Sequence, residues 1–287
     1  MKLNIQHSSQ ESYGELTITG SKSESNRLLV LQALHPQIEI LNLSNSDDTQ
    51  ITQKGLKSKN NIINIHHAGT AMRFLTAYFA TKPNREIVLT GSERMQERPI
   101  KLLVDALKSL GADIAYEKEA GFPPLIIRGK EITMNRVALP ANISSQYISA
   151  LMLIAPSLKN GLNIELIGET TSVPYIKMTQ SIMNQLGFET TFDRDQILIK
   201  PTSKIKTKHW TVESDWSSAS YFYSIVALAV RGEITLKNFF EKSKQGDAAL
   251  SEIYEKFGVK TTYSDGKITL SKIVDFTPPN YIMINLK

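Results

Sequence analysis

The sequence predicts an α/β protein built from repeated βαβαββ units, and three observations carry that prediction. Amphipathic helical stretches end in a glycine at Gly111, Gly187 and Gly258. Strand–turn–strand text follows each of these glycines, and a further strand and a helix with a polar start precede each stretch. The glycines recur at a spacing of about seventy residues, the period expected of one supersecondary unit.

The elements follow in order along the chain. Ser21-Lys22-Ser23-Glu24-Ser25-Asn26-Arg27 opens the first helix; with Ser23 as N-cap, Arg27 reaches back beside Lys22 and the exposed N–H groups. Gly55, after Ile51-Thr52-Gln53-Lys54, marks the helix end of a shorter first unit. Ala68-Gly69-Thr70-Ala71-Met72-Arg73 opens a helix over residues 70–79, with Arg73 expected as a structural ion-pair partner. Glu93-Arg94-Met95-Gln96-Glu97-Arg98-Pro99 opens the next, whose stripe is Ile100, Leu103, Val104, Leu107 and Leu110. Arg98 is expected to pair with Glu97 or Asp105 on neighbouring turns. Residues 112–128 then read as a hairpin with a Gly-Phe-Pro-Pro interruption.

Ser144-Ser145-Gln146 begins the helix of the following unit, through residue 158. Tyr175, Met178, Ile182 and Leu186 form the stripe that ends at Gly187, and residues 188–200 form its hairpin. The next unit has a helix over 217–230, capped by Asp215, then Leu250, Ile253, Tyr254 and Phe257 before Gly258, and a hairpin over 259–270. The tail Asn280-Tyr281-Ile282-Met283-Ile284-Asn285-Leu286-Lys287 reads as the start of a fifth unit, so the chain is expected to be C-terminally truncated.

Composition bounds the function. With 41% hydrophobic and 21% charged residues over 287 positions, the chain supports one large or two ordinary domains with packed cores. Its net charge of +5 is spread over scattered basic residues, which favours a solvated surface and small anionic ligands over nucleic acid. Cysteine is absent, which excludes disulfides, thiolate metal sites and a cysteine nucleophile. The N-terminus lacks the apolar core of a signal peptide, and the apolar stretches 148–158 and 221–230 are too short to span a bilayer. A cytoplasmic protein without membrane association is expected.

Helix starts expose unpaired N–H groups and the positive end of the helix dipole. The four polar stretches at 21–27, 68–73, 93–99 and 144–146 add an ammonium, guanidinium groups and hydroxyls. Together they suit phosphates and carboxylates. The alternatives are plain caps and surface cations.

At these residues the chain resembles the enolpyruvyl transferases, in the branch that acts on shikimate-3-phosphate. The matching text is Gly20-Ser21-Lys22-Ser23-x-Ser25-x-Arg27, Ala68-Gly69-Thr70-Ala71-Met72-Arg73, Leu89-Thr90-Gly91-x-x-Arg94-Met95-x-x-Arg98-Pro99, Ser144-Ser145-Gln146, Ser172-x-Pro174-Tyr175 and Asp215-x-Ser217-Ser218-Ala219-Ser220. The resemblance implies a two-domain inside-out α/β clamp, each domain holding three βαβαββ units. It places residues 20–212 as the complete domain and 1–19 plus 213–287 as part of a second, incomplete one. Two further units of the family, with its acidic proton-transfer residues and further basic ones, are not matched in this sequence.

The implied reaction moves the enolpyruvyl group of phosphoenolpyruvate to the 5-hydroxyl of shikimate-3-phosphate and releases phosphate, without metal or cofactor. This chain, taken alone, is expected to bind shikimate-3-phosphate without turnover. The resemblance assigns shikimate-3-phosphate to Lys22, Ser23, Arg27, Ser144, Ser145, Gln146, Ser172 and Tyr175. It assigns phosphoenolpyruvate to Lys22, Gly69, Arg94 and Gln146. His67 stands where the family commonly has Asn and is read as lining the same pocket, with His66 structural. Lys22 is the candidate catalytic group. Tyr175 either stacks on the substrate ring or belongs to the apolar stripe of its helix.

The family's UDP-N-acetylglucosamine branch normally has Asn after the first Lys and a reactive Cys, and here Ser23 and no cysteine occur. A basic RNA-binding α/β repeat would show aromatics among basic residues on a sheet face, whereas Tyr and Phe fall on apolar stripes. A monomer is expected for the full-length enzyme, and self-association for a fragment of it.

Overall fold

Glycines with left-handed backbone set the punctuation of the fold. Gly111, Gly187 and Gly258 have φ of 103°, 101° and 77°, values that favour a residue without Cβ, and each turns the chain from a helix into a hairpin. The structure is a computed structural model that describes residues 10–170, 172–202 and 204–277. Its elements are β1 (Glu11–Thr17), α1 (Lys22–Leu34), β2 (Glu39–Leu41), α2 (Asp47–Lys57), β3 (Ile62–Asn64), α3 (Gly69–Ala80), β4 (Glu86–Thr90), α4 (Glu93–Gln96), α5 (Lys101–Ser109), β5 (Asp113–Tyr116) and β6 (Leu125–Arg128). They continue with β7 (Arg136–Pro140), α6 (Ser145–Ile154), β8 (Leu162–Ile167), α7 (Val173–Leu186), β9 (Thr190–Asp193), β10 (Gln196–Ile199), β11 (His209–Thr211), α8 (Trp216–Leu228), β12 (Arg231–Lys237), α9 (Leu250–Glu255), β13 (Val259–Ser264) and β14 (Lys267–Lys272).

The repeat is visible in the sheets. Strand orders β3-β4-β6-β5, β7-β8-β10-β9 and β1-β12-β14-β13 share one topology. In each, the first two strands are parallel and need a crossover helix, while the last two form an antiparallel hairpin against the second. The α/β expectation holds, with one exchange that sequence order did not indicate. The strand just ahead of α8, β11, pairs with β2 instead of β12, and the place beside β12 is taken by β1.

The described residues cluster into two compact units. One is Lys22–Val212; the other joins the residues up to Ser21 to those from Glu213 onward. In the first unit, the core gathers α3, whose residues are all buried, with α1, α5, α6, α7 and the inner faces of two sheets. Burial of each such Leu, Ile or Phe side chain contributes about 1.5–3 kcal/mol. In the second, Trp216, Tyr223, Phe239, Val259, Ile268 and Leu270 form a separate core, with the Trp216 and Phe239 rings edge to face at 5.0 Å.

Two positions differ from the sequence expectation. Gly55 does not end a helix: it lies inside α2, where a Cβ would come 2.6 Å from Leu75 Cδ1, so the missing side chain lets α2 approach α3. Ser23 is not an N-cap, because α1 already begins at Lys22. The apolar tail at 280–287 lies outside the described residues. Among those residues, no helix is long and apolar enough to cross a membrane.

Candidate functional site

The start of α6 is built as the sequence suggests. Ser144 caps it, its Oγ accepting from the Gln146 N–H at 3.3 Å, with Ser145 buried beside it. The Gln146 Nε2 donates to Thr70 Oγ1 at 3.3 Å, which brings the start of α6 to the start of α3. No side chain caps α3: Ala68 precedes it and Gly69 and Thr70 form its first turn. Its leading N–H groups and the positive dipole end are left for another acceptor.

Arg27 lies one helical turn from Ser23 and is only 3% exposed. Its Nε donates to Thr179 Oγ1 at 2.7 Å, Nη1 to the Ser23 carbonyl at 2.8 Å and Nη2 to Ser149 Oγ at 3.0 Å. These contacts tie α1 to α6 and α7 through neutral oxygens. The nearby buried carboxylate, Glu24, accepts instead from Trp210 Nε1 at 2.6 Å. Burial lowers the Arg27 pKa to about 10, opposed by the charges of Tyr175 and Glu24.

The Arg27 guanidinium also lies 5.7 Å from the Phe74 ring centre and 5.8 Å from that of Tyr175. Tyr175 is 41% exposed, so it does not belong to the apolar stripe of its helix. Ser172 stands exposed at the head of α7 in left-handed backbone, φ 55°, without a capping bond from its side chain. Lys22 is exposed at the first position of α1, and Ser23 is half-buried.

A second cluster forms where the loop after β4 meets the start of α3. The loop closes tightly: the Ser92 N–H donates to the His66 carbonyl at 3.1 Å, and a Cβ on Gly91 would lie 2.6 Å from that oxygen. Ser92 caps α4 through Met95 N, and its Oγ lies 2.7 Å from Nδ1 of His67. Buried Met95 anchors the short helix, while His67, Arg94 and Arg98 are exposed and line one cavity with it.

Two arginines behave otherwise than the sequence reading held. Arg98 faces the cavity with Arg94, and Asp105 is paired with Lys101. Arg73 binds carbonyls, donating from Nη1 to Gly69 at 2.9 Å and from Nη2 to Pro99 at 3.5 Å. Its burial, and secondly the Arg98 charge among the lowering causes, depress its pKa.

The expected residues thus form a connected series within one unit. It passes from Tyr175 to Arg27, to Ser149 on α6, along that helix to Gln146, across to Thr70 and Gly69, and on to Arg98 and Arg94. The cavity lining holds His67 and Arg94 of the expected phosphoenolpyruvate set, while Lys22, Gly69 and Gln146 are not part of it. In the other unit, Asp215 caps α8 by accepting from Ser218 N at 2.8 Å. Sequence reasoning missed Glu213, a buried carboxylate that accepts from Trp216 Nε1, Phe240 N, Ser243 Oγ and Gln245 Nε2. No local pattern marks it, since its donors run from Trp216 in α8 to Gln245 beyond β12.

Comparison with known proteins bears on this arrangement. The family model for EPSP synthase (3-phosphoshikimate 1-carboxyvinyltransferase) matches residues 51–285. A Bacteroides fragilis protein named 3-phosphoshikimate 1-carboxyvinyltransferase is 46% identical over 258 residues, covering 90% of this chain and 63% of the relative. One of the same name from Haemophilus influenzae is 36% identical over 303 residues, covering 95% of this chain and 68% of the relative. The chain therefore spans about two thirds of the length of these relatives. A solved EPSP synthase from Acinetobacter baumannii shares the fold, with a TM-score of 0.71 at 18% identity over 91% of this chain and 64% of that one. On the match of the family model and the level of identity to these relatives, the chain belongs to the EPSP synthase (3-phosphoshikimate 1-carboxyvinyltransferase) family.

Proposed function

We propose that the chain binds shikimate-3-phosphate and phosphoenolpyruvate and takes part in moving the enolpyruvyl group to the shikimate 5-hydroxyl. In that reaction the hydroxyl adds to C2 of phosphoenolpyruvate while C3 is protonated, and the resulting ketal eliminates phosphate. The chain's own part is to hold two polyanions beside each other. Arg27, Ser23, Ser144, Ser145, Gln146, Ser172 and Tyr175 serve the shikimate phosphate and ring. Gly69, Arg94, His67 and Gln146 serve phosphoenolpyruvate. Lys22 touches both and is the candidate proton donor.

One observation carries the reading: a guanidinium buried among neutral oxygens. Burying a cation costs several kcal/mol, and the ion pairs among the described residues do not include Arg27, on which the charge of nearby Glu24 acts more weakly than burial. An anionic group of the substrate beside Arg27 would add negative charge through charge-assisted hydrogen bonds. A division into residues 20–212 and 1–19 plus 213–287 belongs to the same proposal, supported by the self-contained core of 22–212. So does a cytoplasmic setting, supported by a chain without cysteine.

Calorimetry with shikimate-3-phosphate tests this. Saturable binding is expected, and Arg27→Met should weaken it about a hundredfold, the loss of two charge-assisted bonds. Glu24 keeps its bond from Trp210 Nε1, and Ser149 and Thr179 keep their own 3.0 Å bond. The thermal midpoint should therefore move little. Folded protein that takes up no shikimate-3-phosphate, or an Arg27→Met variant of unchanged affinity, would sink the reading.

A further inference from the structure

We propose that Arg98 is a second guanidinium ligand for the substrate anion bound by Arg94, and that it grips the phosphoryl group over the bare backbone of Gly69. The inference rests on the reading that this unit binds phosphoenolpyruvate.

The geometry is specific. Arg94 and Arg98 lie four residues apart around the anchored Met95 and line the same cavity. A Cβ placed on Gly69 would lie 2.6 Å from Arg98 Nη1 and 3.1 Å from its Cζ, so the guanidinium rests on the glycine at the head of α3. Arg73 Nη1 would be 3.1 Å from the same point. Two guanidinium groups therefore meet at the positive end of a twelve-residue helix. No ion pair among the described residues includes Arg73, Arg94 or Arg98. Like charges gathered without a counter-charge repel one another, and an anion converts that cost into attraction.

The donors present favour a phosphoryl group. One arginine fork satisfies a planar carboxylate in bidentate fashion, and Arg94 alone can do that. A terminal phosphoryl has three oxygens pointing in different directions and needs donors from more than one side. Arg98 supplies a second fork from the α3 side. His67 adds a third polar group. Ser92 Oγ accepts from Met95 N and is hydrogen-bonded to His67 Nδ1 at 2.7 Å, which fixes the ring at the edge of the cavity.

The role also accounts for Gly69. Arg98 is the far end of a flexible side chain, so Gly69→Ala can fold, but only by pushing the guanidinium off its place. Gly69→Ala and Arg98→Gln should then act on the same interaction and fail to add in a double-mutant cycle.

The test uses the whole chain, inorganic phosphate and phosphoenolpyruvate as probes, and calorimetry or phosphorus NMR as the readout. Arg98→Gln is expected to weaken both probes about tenfold or more, and Arg98→Lys less, since the charge remains without the fork. Shikimate-3-phosphate binding should be unchanged, and Arg136→Gln, which removes an exposed charge on β7, should leave all three ligands unaffected. The Gly69→Ala, Arg98→Gln double variant should bind phosphate no worse than Arg98→Gln. If the parent protein binds phosphoenolpyruvate and Arg98→Gln binds it equally well, this inference is overturned while the functional reading stands. If the parent binds neither probe nor shikimate-3-phosphate, both fall.

Discussion

At the scale of single residues, burial decides how a charge behaves, and His35 shows it outside the site. The ring follows α1, is 7% exposed, packs at 4.8 Å from Phe188, and its Nε2 has no partner. Burial, and secondly the Lys82 charge, hold its pKa below the usual histidine value. The unfolded chain therefore takes up a proton near pH 6.5 that the folded chain refuses. Stability should be steady above that pH and fall as pH drops through it, by at most about 1.4 kcal/mol per unit for this one group. Urea unfolding of the parent and of His35→Gln at pH 7.5 and 5.5 checks this. The parent should lose more stability between the two values than the variant; equal losses would assign the effect elsewhere. The same scale shows what was legible in the site. Ser144 as a cap and Arg27 reaching back along its helix follow from local rules of helix starts. Arg98 did not, because its destination is Gly69, 29 positions earlier, and only the folded chain brings them together.

Elements repeat in this chain, but the repeat does not say what each copy packs against. The helices α3, α6 and α8 each lead into the second strand of a sheet of the same topology, β4, β8 and β12. Residues of α3 are buried on every side, because α1, α2, α5 and α6 surround it. On α8 a stripe remains open, with Tyr221 72%, Ile225 45% and Leu228 88% exposed. Both helices are predominantly apolar, so the sequence identified the elements without their neighbours. The β1 and β11 exchange was hidden for the same reason: strand partners set by contacts two hundred residues apart leave no mark in local spacing. A matched pair of truncations measures the difference. Leu75→Ala should cost about 2–5 kcal/mol by opening a cavity in a filled core. Leu228→Ala should change stability by about 0.5 kcal/mol or less in denaturant titrations. Equal costs would mean that the α8 stripe is covered in solution.

For the whole molecule, continuity of chain separates the two units. Lys22–Val212 is one uninterrupted segment with two four-stranded sheets, the β2–β11 pair and its own core. The other unit is assembled from two segments, and β1 from the first must find β12 in the second. The residues flanking the uninterrupted segment are held side by side: Ser21 N donates to the Glu213 carbonyl at 2.8 Å, and Gly20 bridges Ser214. The ends of the segment are thus neighbours, the arrangement that best tolerates excision. Within it, Val212 N donates to the Leu41 carbonyl and Asn42 Nδ2 donates to that of Val212, so the last strand is secured without help from beyond it. Expressed alone, residues 22–212 should unfold in a single cooperative transition and retain shikimate-3-phosphate affinity within about threefold of the whole chain, since the residues proposed to bind it all lie in that segment. Amide exchange should show protected backbone in α3 and α6. An excised segment that is cooperative yet binds tenfold more weakly would place part of the shikimate site in the discontinuous unit; one that fails to fold would show that its core depends on residues it lacks.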